Sequence, residues 1–259
     1  MRPSWQAPEV TLAFGERGSH LAVAAAAYGL RLAEREGMEG WQLSGTVGRI
    51  SIRSPRSEGG LHLDLESNRG PLAQRLRSAR RDDALPRACG LQRRRSPLHV
   101  VDATAGLGRD ALILAHLGCR VDAIERIPAL AFLAHWTAAG CGLAAQLMVH
   151  VGEAGPWLAA LPAEAAPDVV YLDPMFGEIG KAQVKKDMQV CRLLAGPPDD
   201  PVPLLAIARQ VARERVVVKR HHGAPPLVDG VTFVVPGERI RFDVYVRPSI
   251  AGASATPPR

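Results

Sequence analysis

From His99 onward, short unbroken apolar runs alternate with stretches of helical periodicity, the pattern of strands buried on both faces of a parallel sheet with helices between them. The runs His99–Asp102, Arg120–Ile124, Gln146–Val151, Asp168–Leu172 and Arg215–Lys219 predict five strands. Arg109–Leu117, Pro128–Ala139 and Leu204–Ala212 predict helices, and Val231–Val235 with Arg241–Val246 predict an antiparallel pair closing the sheet. This order predicts an α/β fold built on a Rossmann-like, doubly wound, mostly parallel sheet, with ligands at the carboxyl ends of its strands.

The pattern before residue 98 is less regular. An alanine-rich stretch, Leu21–Glu36, predicts a helix, and Leu43–Ile52 and Leu61–Leu65 predict strands with turns at Gly45, Gly48 and Gly59-Gly60. The expected organisation is a small α+β N-terminal region with a basic linker over residues 1–97, a ligand-binding catalytic domain over 98–247, and a disordered tail over 248–259, rich in Pro, Ala and Ser.

Composition narrows the function classes. A hydrophobic fraction of 47% supplies an ample core. Cys89, Cys119, Cys141 and Cys191 form no C-x-x-C pair, so neither a zinc site nor a disulfide framework is expected, and they read as buried thiols. The longest apolar stretch, Leu21–Leu30, is too short to span a bilayer, and the N-terminus lacks the pattern of a signal peptide, so the chain is expected to be cytoplasmic with no membrane partner.

The net charge of +6 leans toward a polyanionic partner. Its most basic part carries Arg69, Arg75, Arg77, Arg80, Arg81, Arg87, Arg93, Arg94 and Arg95 against only Asp82 and Asp83. That segment reads either as a solvated helix-and-linker face or as a nucleic-acid contact surface.

The candidate chemistry lies at the predicted strand ends. Asp102 to Asp110 leaves the first strand through a turn bearing Gly106 and Gly108, which lack a Cβ and let the backbone approach a ligand closely. Glu125, ending the next strand, can accept hydrogen bonds from both hydroxyls of a ribose, a geometry that serves NAD and S-adenosylmethionine alike. The third glycine of a dinucleotide turn is Ala111 here, and the acid at Asp102 suits a cationic sulfonium ligand better than a pyrophosphate. Both points favour the methyl donor. Gly152 and Glu153, ending the third strand, read as contacts to adenine or as an ordinary helix start, and Arg126 as lying over the adenosine or facing solvent.

The fourth strand delivers Asp173-Pro174-Met175-Phe176 beside that site. This resembles the (Asn/Asp)-Pro-Pro-(Tyr/Phe) tetrad of methyltransferases acting on planar nitrogens. The lone pair of an exocyclic amine such as guanine N2 is delocalised into the ring. A carboxylate at Asp173 and the carbonyl of Pro174 can accept its two N–H groups and orient the nitrogen toward the methyl group, while Phe176 stacks on the flipped base. No metal is required. Lys185, Lys186 and Arg192, with Lys219-Arg220-His221-His222 after the fifth strand, read as positive charge at the mouth suited to a phosphate backbone.

Val101–Ala111, Gly118–Val121, Glu125-Arg126, Val169–Phe176, Val184–Lys186, Arg215–Arg220 and Arg241–Asp243 occur in an order similar to that of the RsmJ family, bacterial 16S ribosomal RNA guanine-N2 methyltransferases. The resemblance covers about Leu61 to Val246. It implies a class I methyltransferase fold, S-adenosylmethionine as cofactor and the small ribosomal subunit's RNA as partner. It also implies cofactor contacts at Arg109, Asp110, Glu125, Arg126, Gly152, Glu153 and Asp173. Two rivals stand beside it: a methyltransferase of another planar nitrogen, such as a protein glutamine or a small amine, and a non-catalytic RNA-binding assembly factor.

Overall fold

Alternation builds the first sheet: Trp41 and Leu43 on one strand, and Ile50 and Ile52 on the next, turn inward while their neighbours face outward. The computed structural model of the chain describes residues 8–16, 18–34, 40–46, 48–55, 60–174 and 186–248. Within them β1 (Val10–Leu12), α1 (His20–Ala26), β2 (Arg31–Leu32), β3 (Trp41–Thr46), β4 (Arg49–Arg53) and β5 (His62–Glu66) form a five-stranded sheet of order β2-β1-β3-β4-β5. β1 runs parallel to β2 and β3, and β3, β4 and β5 are antiparallel neighbours. Two helices follow, α2 (Gly70–Ser78) and α3 (Ala84–Cys89), where the sequence predicts only a basic helix and linker.

The second sheet holds β6 (His99–Asp102), β7 (Arg120–Glu125), β8 (Leu147–Val151), β9 (Val169–Leu172), β10 (Arg215–His221), β11 (Phe233–Pro236) and β12 (Ile240–Val246). The helices among these strands are α4 (Arg109–His116), α5 (Pro128–Gly140), α6 (Ala154–Ala159), α7 (Lys186–Ala195) and α8 (Val202–Val211). The strand order is β11-β12-β10-β9-β6-β7-β8, with β6 to β10 parallel and β12 antiparallel to both β10 and β11. This is the expected doubly wound, mostly parallel sheet. The chain winds outward from β6 through β7 to β8, then returns to lay β9 on the other side of β6. The crevice where the direction reverses opens at the carboxyl ends of β6 and β9.

Helix α5 joins the two sheets. Ala131, Ala134 and Ala138 lie against the second sheet, where short side chains permit close approach. Leu130, Phe132, Leu133 and Trp136 enter a core with Leu12, Trp41, Leu43, Ile50 and Ile52 of the first. Trp136 Nε1 donates to the carbonyl of Thr46 (3.0 Å), and Ser67 Oγ donates to that of Thr137 (3.3 Å), fixing the sheet along the helix.

Two expectations change. The predicted helix Leu21–Glu36 is only α1, opened by Ser19 Oγ accepting the amide of Ala22 (3.1 Å) and ended as Gly29 takes a φ of +72°, after which Arg31-Leu32 is strand. Gly45 is no turn: it lies within β3, where a Cβ would come within 2.5 Å of the Arg49 carbonyl oxygen. The turn is at Gly48, with a φ of +83°. The expectations for Gly59, Met175, Phe176, Lys185 and the tail beyond Pro248 fall outside the described residues. No helix among the described residues is long and apolar enough to cross a membrane.

Candidate functional site

The ends of β6, β7, β8 and β9, together with Lys219 from β10, wall a cavity of about 720 Å³. Asp102, Gly106, Arg109, Asp110, Glu125, Arg126, Gly152, Glu153, Asp173 and Pro174, all marked by the sequence, line it. Gly108 does not. It opens α4 with a φ of +70°, and a Cβ there would lie 3.0 Å from Ala134 Cβ, so its bareness serves the packing of α4 on α5.

On one side of the cavity, Glu125 is 9% exposed and is held by two backbone amides. Gly106 N donates to Oε2 and Ile127 N to Oε1, each at 2.8 Å. Burial raises its pKa, and these amides partly offset the rise. The carboxylate keeps lone pairs for hydroxyl donors, and at Gly106 a Cβ would meet nothing within 4 Å, so the turn leaves room. Asp102, 2% exposed, accepts from Thr104 N at 3.1 Å, and burial pushes its carboxyl up to about 8. A cation brought against such an acid favours its ionised form, which a phosphate would disfavour. The donor set therefore fits a nucleoside bearing a cationic chain, as S-adenosylmethionine does, better than a dinucleotide.

Across the cavity lies a charged cluster. Asp173 follows β9, and its amide donates to Thr104 Oγ1 at 2.6 Å, tying the start of the tetrad to the glycine-bearing turn. Lys219 Nζ donates to Asp173 Oδ2 at 2.7 Å and to Asp110 Oδ2 at 2.8 Å. Asp110 also accepts from the Tyr171 hydroxyl (2.7 Å) and from Arg75 Nη2 (3.0 Å). Burial alone would raise the Asp110 carboxyl, but Lys219, Arg75 and Tyr171 bring it below its ordinary value. For Asp173 the order reverses: burial raises the carboxyl and Lys219 offsets this only in part. Burial opposes the charge on Lys219, yet the two carboxylates hold its pKa above the usual lysine value.

Helix α7 and the turn after it face the same cavity, and two arginines tie them down. Arg109 pairs with Asp187 on α7, and Arg126 pairs with Asp199 while donating to the Ala195 carbonyl at 2.9 Å. Each arginine thus lines the cavity and clasps its cover. Asp187 carried a signal that the sequence reading did not use: with Val190, Cys191 and Leu194 it falls on one buried helical stripe, an acid among apolar residues. Arg75 carried none, because its partner Asp110 is 35 positions away.

The mouth cations divide. Lys219 points inward to two carboxylates rather than outward to a phosphate. Arg220 is buried and donates to the Pro225 carbonyl, while His221 and His222 are exposed. Arg192 is half-buried on α7 and Lys186 is exposed at its start.

Residues 25–247 match a family model described as "Putative SAM-dependent methyltransferase". Ribosomal RNA small subunit methyltransferase J of Pseudoalteromonas atlantica is 45% identical over 186 residues, covering 67% of this chain and 72% of that protein. The protein of the same name from Chromohalobacter salexigens is 39% identical over 230 residues, covering 84% and 90%. Among solved structures, a SAM-dependent methyltransferase from Neisseria gonorrhoeae superposes with a TM-score of 0.70 at 28% identity, covering 95% of this chain and all (100%) of that one. With these relatives, the chain belongs to the ribosomal RNA small subunit methyltransferase J family of SAM-dependent methyltransferases.

Proposed function

We propose that this chain methylates the exocyclic N2 of a guanine in 16S ribosomal RNA. The observation that carries the reading is the placement of Asp173: its carboxylate opens on the same cavity as Asp102 and Glu125, and one of its oxygens is fixed by Lys219. Bound S-adenosylmethionine supplies an electrophilic methyl group. Glu125 would hold its ribose hydroxyls and Asp102 its cationic portion, with Gly106, Arg109, Arg126, Gly152 and Glu153 around them.

The acceptor side belongs to Asp173 and Pro174. Asp173 Oδ1 and the Pro174 carbonyl accept the two amino hydrogens, concentrating the nitrogen lone pair toward the methyl group. Asp173 then stabilises the positive charge that develops on nitrogen and takes up the departing proton. Phe176 is assigned base stacking on the strength of the tetrad alone. Residues 98–247 carry the catalytic role, and the arginines before them suit a phosphate backbone. Relatives named for the small ribosomal subunit support RNA as the acceptor, and a cytoplasmic site of action goes with that reading.

The test is transfer of labelled methyl from S-adenosylmethionine to small-subunit RNA or particles, followed by nucleoside analysis. N2-methylguanosine is expected from the wild type, and a loss on the order of 10²–10³-fold in rate from Asp173→Ala. Label recovered in another nucleoside or in protein would overturn the acceptor, and undiminished labelling by Asp173→Ala would overturn the role of that residue.

A further inference from the structure

We infer that Lys219 is the positioning residue of the reaction: it fixes Asp173 with one oxygen occupied and the other turned to the acceptor nitrogen, and Asp110 is its anchor. The inference rests on the reading of Asp173 as the group that accepts the amino N–H. Lys219 reaches both carboxylates at ordinary hydrogen-bond distances, 2.7 Å to Asp173 and 2.8 Å to Asp110. The lysine side chain is 22% exposed and Asp110 only 10%, whereas Asp173 is 39% exposed, so the chain of contacts runs from a buried anchor to a reactive end.

The anchor is held from two further directions. Tyr171 on β9 and Arg75 on α2 donate to its two oxygens. Held by these two donors, Asp110 cannot follow Lys219 if the lysine moves, so it is a fixed point for the lysine. The remaining freedom of Asp173 is rotation of its outer oxygen. Its amide is fixed on Thr104 and its inner oxygen on Lys219, so the outer oxygen meets a substrate already oriented.

This arrangement also assigns the proton. Lys219, wedged between two carboxylates, stays protonated and is not the base, so the proton leaving the methylated nitrogen goes to Asp173 and from there to water. The charged and titratable groups facing Asp173 are Lys219 from β10, Asp110 from α4, Arg75 from α2, Asp102 from β6 and Tyr171 from β9. Lys219 and Arg75 favour its ionised form, and Asp110 and Asp102 oppose it.

Two variants should therefore move the acid limb of the pH–rate profile in opposite directions. Under single turnover with saturating S-adenosylmethionine and small-subunit RNA, Lys219→Met removes a cation and should raise the limb by about one pH unit. It should also lower the plateau rate on the order of 10²-fold, while cofactor affinity by calorimetry changes less than about threefold. Asp110→Asn removes a repelling charge and should lower the limb. Lys219→Arg, keeping the charge, should leave the limb near its wild-type place. A general folding defect does not give shifts of opposite sign. Wild-type limbs in both Lys219→Met and Asp110→Asn would overturn the inference, and so would a Lys219→Met defect confined to cofactor affinity. An Asp173→Ala variant, which removes both acceptor oxygens, separates the two readings: if it is inactive while Lys219→Met is normal, only the role of Lys219 falls. If it retains full activity, the reading of Asp173 falls as well.

Discussion

Asp102 shows how far one residue's surroundings set the behaviour of the site. It is buried at the end of β6, accepts one backbone hydrogen bond, and its carboxyl is pushed up to about 8 by burial. Below that pH the carboxyl is mostly neutral, and a cation bound beside it must drive a proton off. S-adenosylmethionine affinity should therefore rise with pH and level off above about 8, with net proton release at pH 7 visible in calorimetry as a dependence on buffer ionisation enthalpy. Asp102→Asn should flatten that dependence. A wild-type affinity independent of pH between about 6 and 9 would show that Asp102 does not face the cationic part of the ligand.

At this scale the sequence was informative wherever a residue's role depends on its neighbours along the chain. Asp102, Gly106, Glu125 and Asp173 could be placed from strand ends alone, because a strand followed by a helix fixes where the next few residues point. Gly108 shows the limit of this: a glycine needed to pass a helix and a glycine needed to pass a ligand look alike in sequence. The pairing of Lys219 with Asp110 and Asp173 is not legible in the sequence, since it is set by the pairing of β10 with β9 and by where α4 begins.

Among the elements, α5 carries the most consequence. It has no solvent face over most of its length: Leu130, Ala131, Phe132, Leu133 and Ala134 are all at most 1% exposed. A helix that is apolar all round is a buried helix, and this one is covered by a sheet on each side. Leu133→Ala should cost about 3 kcal/mol and lower the melting temperature by roughly 6–12 °C, as for other fully buried leucines. Because both sheets pack on α5, fluorescence from Trp41 in the first sheet and loss of cofactor binding in the second should report one shared transition. Two separated transitions would show that the sheets melt independently. The strands of the second sheet were legible as continuous apolar runs. Those of the first are partly hidden, because β1 and β2 span only three and two residues, too few to show an alternation.

For the whole molecule the telling feature is where the charge sits. Nine arginines against two aspartates give residues 69–95 a net +7, more than the +6 of the entire chain, so the remainder is slightly acidic. Arg69, Arg77, Arg80, Arg81 and Arg87 are exposed around α2 and α3, and Arg75 on α2 reaches into the cavity wall. Several of these arginines donate to backbone carbonyls, which holds their position and leaves their charge unneutralised. Replacing Arg69, Arg77 and Arg81 by Gln should weaken binding to small-subunit RNA and reduce the slope of log affinity against log salt by about 2–3, with cofactor affinity unchanged. An unaltered slope would place the RNA elsewhere on the surface.

The double coverage of α5 also has a consequence in time. Synthesis runs from the N-terminus, so β5, ending at Glu66, is made well before Pro128, where the helix that closes its core begins. At roughly 5–20 residues per second the first sheet waits on the order of 3–12 s with its apolar face uncovered. During that interval the ribosome itself, whose RNA the finished protein is proposed to modify, is the nearest large surface to it.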